Sequence, residues 1–118
     1  MFDIMKIKEL ISSYDETNDI FVGKISEKNG YYSNYDISNG IFLNMDKNNL
    51  PVSVHINNAS NVLNVKKYLL EYCDVSIFID CDGRDINFIL CIADEILYNT
   101  KSSNVFNSPK FSYLIKTN

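Results

Sequence analysis

The sequence predicts an α+β domain, a meander of antiparallel hairpins of about five or six strands with one short helix packed on the sheet. Three observations carry that prediction. The stretch Gly40 to Ser60 contains a complete hairpin: Ile41, Leu43 and Met45 alternate with Phe42 and Asn44, Asp46-Lys47-Asn48-Asn49 turn the chain, and Val52, Val54 and Ile56 alternate with Ser53 and His55. Val75 to Asp80 and Asp85 to Ala93 are two more apolar runs, separated by the turn dipeptide Asp82-Gly83. Between these hairpins Val62, Val65, Leu69 and Tyr72 recur at helical spacing.

Taken from the N-terminus, Met5 to Ser13 alternates well enough for a strand, with a short helix as the alternative. Tyr14-Asp15-Glu16-Thr17-Asn18 is turn-forming, and Ile20 to Ile25 is a strand that closes the first hairpin. Gly23 within it marks a bulge or the close approach of a bulky neighbour. Glu27-Lys28-Asn29-Gly30 and Asn39-Gly40 are turn signals, and Tyr31 to Ser38 between them is an aromatic-bearing edge strand or a loop. In the central hairpin Asn49 suits a left-handed turn position, and Pro51, lacking an N–H, starts its strand or lies on an edge. Asn64 is placed to cap a helix from Val65 to Tyr72, which Asp74 ends. After the third hairpin, Asp94-Glu95 interrupts the pattern and Ile96-Leu97-Tyr98 continues the strand beyond a bulge. Thr100 to Pro109 reads as a linker, and Lys110 to Lys116 as a last strand or a docking tail. Residues 1–99 therefore form one domain, with a helix-plus-hairpin part at 61–99, and 100–118 form a linker and tail.

Composition narrows the function classes. A hydrophobic fraction of 46% over 118 residues supports one packed core, not a disordered chain. A net charge of -4 with no basic patch disfavours nucleic-acid binding. The longest apolar run, Phe88 to Ala93, is too short to span a bilayer, and Met1 to Ile11 lacks a signal-peptide core. Cys73, Cys81 and Cys91 are odd in number and widely spaced, as in a reducing cytoplasm. The expectation is a cytoplasmic protein with no membrane and no nucleic-acid partner.

Assembly follows from the third hairpin. Ile86, Phe88, Leu90 and Ile92 lie on one face and Ile89, Cys91 and Ala93 on the other, so both faces ask for cover. One short helix covers one face, and the tail or a second copy of the chain must cover the other. The expectation is a homo-oligomer, most simply a two-fold dimer.

Candidate chemistry is sparse. His55, the single histidine, falls on the polar side of its strand and reads as a surface or subunit-contact residue. A zinc set of Cys73, Cys81, Cys91 and His55 lacks the close ligand pairing of structural sites. Asp80, Asp82 and Asp85 crowd one hairpin tip where a divalent cation could sit, but Gly83 follows the second carboxylate and Arg84 can neutralise them. Asp46-Lys47-Asn48 lacks a third alternating ligand. Tyr31, Tyr32 and Tyr35 are half-buried edge aromatics or a sticky surface. No residue is assigned a catalytic, cofactor-binding or metal role, and no cofactor is expected.

Several of these segments together resemble a known family. Tyr14-Asp15-Glu16-Thr17-Asn18-Asp19 followed by IFVGKIS, then Gly40 to Asp46, then Leu50 to Ser60 with its closing Ala59-Ser60, resemble the small YuzE-like domains of unknown function over about Met5 to Ser60. The chain departs from that pattern at Asn49 and Ser53, where glycine is common, and at His55, where an acid is common. The resemblance implies no activity. It does imply kinship with acidic halves of two-gene modules whose neighbour is a compact basic toxin. The functional expectation is thus a non-enzymatic, homo-oligomeric binding or scaffolding domain. An antitoxin-like protein with a small basic partner is the first alternative, and a divalent-metal-binding protein using Asp80, Asp82 and Asp85 is the second.

Overall fold

The computed structural model describes residues 4–117. Met1, Phe2, Asp3 and Asn118, the ends of the predicted domain and tail, lie outside the described residues. The strands are β1 (Lys6–Asp15), β2 (Ile20–Ile25), β3 (Ser33–Ser38), β4 (Ile41–Met45), β5 (Pro51–Asn57), β6 (Val75–Cys81), β7 (Asp85–Ile92), β8 (Glu95–Ser103) and β9 (Phe111–Lys116). Two short helices, α1 (Ala59–Val62) and α2 (Lys67–Tyr72), separate β5 from β6. The strands form one sheet in the order β3-β4-β5-β2-β1-β9-β6-β7-β8, antiparallel throughout except for β1 beside β9.

This corrects the predicted α+β class. Strands hold 56% of the chain, and the sheet curls until its two edges meet, a nearly closed barrel and not a five- or six-stranded meander with a helix layer. The closing seam between β3 and β8 is made by hydroxyl groups. Tyr35 Oη donates to the Ser103 carbonyl at 2.6 Å and lies 2.9 Å from Ser102 Oγ, while Ser38 Oγ and the Tyr98 hydroxyl share a 2.6 Å bond.

The physical reason for the correction lies in the last third of the chain. Ala93 and Asp94 both take positive φ, 51° and 66°, so they make a tight hairpin turn and β8 folds back along β7 instead of extending it. Thr100 to Ser103, expected as linker, completes β8. The tail strand β9 lies in the middle of the sheet, antiparallel to β6 and parallel to Lys6–Glu9 of β1, and thereby welds the two halves. β1 changes partner along its length: Lys6–Glu9 pair with β9, and Leu10–Asp15 pair with β2.

The barrel interior is the core. Phe21, Leu43, Ile56, Ile77, Phe88 and Leu90 are at most 1% exposed and come from five different strands. Gly23 is the inward residue that lets them approach: a Cβ there would stand 3.0 Å from Leu10 Cδ1 and 3.3 Å from Phe21, so close packing and not a bulge is its purpose. The helices cover little. Asn64, with φ of 54°, ends α1 and does not cap the predicted Val65–Tyr72 helix, which begins instead at Lys67 with no side-chain cap.

Candidate functional site

The two ends of the Tyr14–Ser60 motif meet. Asp19, at φ 55°, accepts Tyr14 Oη at 2.6 Å, the Ser60 N–H at 3.0 Å and Ser60 Oγ at 2.7 Å, while its own carbonyl accepts the Ala59 N–H at 2.9 Å. Burial would raise the Asp19 pKa, but the bonds from Tyr14 and Ser60 and the nearby Lys67 charge outweigh it and hold the carboxyl below its ordinary value. Burial and the hydrogen bond to Asp19 push the Tyr14 phenol upward. This node ties the first turn to α1; Tyr14 and Ser60 both spend their donors on the Asp19 carboxylate, so its chemistry is structural.

The tip of the third hairpin is likewise occupied by its own backbone. Asp82 Oδ1 accepts the N–H groups of Arg84 and Asp85, each at 2.8 Å, which lowers its pKa. Asp80 accepts Asn87 Nδ2 across the strands at 2.8 Å. Among the described residues no group of three His, Cys, Asp or Glu side chains is placed to hold a metal ion. Cys81 is buried and reaches the Ser108 carbonyl at 3.8 Å, whereas Cys73 and Cys91 are half-buried. Asp46 caps its own turn by accepting the N–H groups of Asn48 and Leu50.

Two surfaces remain. The first is apolar. On the outer face, strand pairing sets Ile7 beside Leu114, Leu114 beside Phe78 and Phe78 beside Ile89, one row across β1, β9, β6 and β7. Ile7 is 62% exposed, and the other three are half-buried by their neighbours. Charges of both signs border the row, Glu9 and Lys116 on one side, Asp80 and Lys101 on the other.

The second is a polar groove on the outer face of β3, β4, β5 and β2, with a volume of about 410 Å³. Two rows make its floor. Asn34, Asn44 and Ser53 are register partners, and so are Phe42, His55 and Val22. Tyr31, delivered by the loop after Gly30, forms a wall. His55 Nε2 donates to Asn57 Oδ1 at 2.9 Å and meets the Phe42 ring edge-on at 6.5 Å. Asn44 faces outward yet is only 6% exposed; Nδ2 donates to Ser53 Oγ at 2.8 Å and Oδ1 has no partner. The expected tyrosine cluster divides: Tyr31 and Tyr32 stay exposed beside the groove, and Tyr35 turns to the seam. Sequence alternation puts Asn44, Ser53 and His55 on the polar side of one hairpin. It carries no sign that β2 lies beyond β5, which is what makes a groove of them.

Comparison with known family models, curated proteins and solved structures returned no match. No helix among the described residues is long and apolar enough to cross a membrane.

Proposed function

We propose that the chain is a non-enzymatic binding or scaffolding protein that works as a homodimer, with the outer row Ile7–Leu114–Phe78–Ile89 as its contact face. That row is the observation that supports the reading. Fully burying one such side chain is worth roughly 1.5–3 kcal/mol, so a face-to-face pair of sheets gains from covering Ile7 and the flanks of its neighbours. The mixed-sign rim suits a second copy of the same surface, because neither sign dominates to repel it. An antitoxin-like grip on a basic partner would need an acidic patch beside an open strand edge. The stretch of β1 not paired with β2, Lys6–Glu9, instead carries Lys6 and Lys8 beside Glu9, with Lys8 held by Glu27 at 3.0 Å, a surface of mixed sign. A binding role rather than catalysis is supported by how the carboxylates are used: Asp15, Asp46 and Asp82 each accept backbone N–H groups in their own turns. Cys73, Cys81 and Cys91 are thiols and not disulfides, which suits a reducing cytoplasm.

The test is the solution mass of the untagged protein by light scattering over a concentration range. The expected result is twice the chain mass, reverting to a monomer in an Ile7→Lys/Ile89→Lys variant that keeps its circular dichroism. A wild-type monomer at all concentrations overturns the proposal.

A further inference from the structure

A groove whose lining has no formally charged side chain selects against ions, since a charge moved out of water there would find no counter-charge. What the lining offers is groups that both donate and accept. The amides of Asn34, Asn44 and Asn57, the Ser53 hydroxyl and the His55 imidazole have that property, and ligand hydroxyls have it too. Adjacent strands place Asn34, Asn44 and Ser53 in a row at steps of about 4.8 Å, a spread that meets hydroxyls around a saturated ring better than the single edge of a flat base. Tyr31 and Phe42 supply aromatic surface against which the C–H face of such a ring can lie. The volume of about 410 Å³ is in the range of small-ligand sites.

The decisive observation is Asn44. A buried amide atom without a partner costs roughly 1–3 kcal/mol, and whichever way round the amide is placed, the single bond to Ser53 leaves one of its two polar atoms unmatched. Tyr31 also borders an adjoining hollow over Val22, Lys24, Val52 and Ser53, so its ring has a place to move when the amide is engaged. We propose that this groove is a binding site for a neutral carbohydrate, a mono- or disaccharide, anchored by Asn44 and Asn34 and walled by Tyr31 and Phe42. The site lies on the half of the barrel opposite the apolar row, so it stands or falls independently of dimer formation.

The experiment is a titration of isotopically labelled protein by NMR, following backbone amides and the assigned Asn side-chain amides. Glucose, galactose, N-acetylglucosamine, maltose and cellobiose are each added to roughly 20 mM, above a weak-binding constant of about 1 mM, with the free base cytosine as the flat-base control. The expected result is saturable shifts at Asn34, Asn44 and Asn57 with at least one sugar. Asn34→Ala and Tyr31→Ala, both at exposed positions that leave the core intact, should each weaken that binding at least tenfold. No saturable shift with any of the sugars, unchanged affinity in both variants, or binding of cytosine alone would overturn the proposal.

Discussion

Asp19 shows how much one side chain can hold. Its carboxylate gathers a phenol, a hydroxyl and a backbone N–H, and its left-handed backbone is one that Asp and Asn tolerate. Asp19→Asn keeps size and backbone but loses the charge, so unfolding free energy by urea titration should fall by about 1–2 kcal/mol, the difference between charged and neutral hydrogen bonds. The pH dependence has a definite sign. Because the folded carboxyl titrates below its unfolded value, its stabilisation is complete above the ordinary carboxylate range and is lost as pH falls through the depressed value. The wild-type stability curve should therefore slope more steeply through acid pH than that of Asp19→Asn; superimposable slopes would refute this. Gly23 is the other sensitive residue. Gly23→Val drives methyl groups into Leu10 and Phe21 and should cost roughly 1–3 kcal/mol through overpacking, read as a lower urea midpoint at unchanged m-value.

Among the elements, the two hairpins with asparagine or glycine in their turns were legible in the sequence, because Asn49 and Gly83 supply the positive φ those turns need. The β7–β8 turn was not. Alanine at 93 is no turn signal, and its φ of 51° is held by the long ladder on either side. The seam rests on side chains, so it is the weakest join of the barrel. Tyr35→Phe and Tyr98→Phe should each cost about 0.5–1.5 kcal/mol and speed amide exchange along β3 and β8 more than along β5. Uniform acceleration across all strands would show that the seam does not open by itself.

For the whole molecule, the join of β1 to β9 pairs residues near the two ends of the chain, and that contact governs how the protein folds. Loop closure over such a separation makes folding slow, so refolding after denaturant dilution should occupy milliseconds to seconds, roughly as for other sheets built on distant pairings. Ending the chain at Pro109 removes a central strand and uncovers the edges of both β1 and β6; cooperative unfolding should disappear, whereas a dispensable tail would leave it intact. The sequence by itself determined the local pieces: which residues alternate, where Asn and Gly turn the chain, and that His55, Asn44 and Ser53 share a polar side. These are properties of neighbours a few residues apart. Only the tertiary structure decided that β2 lies beside β5, that β9 enters between β1 and β6, and that the sheet closes on itself. The alternation of a strand records which side is buried, inside a barrel or against a second layer alike, and says nothing of which distant strand lies alongside.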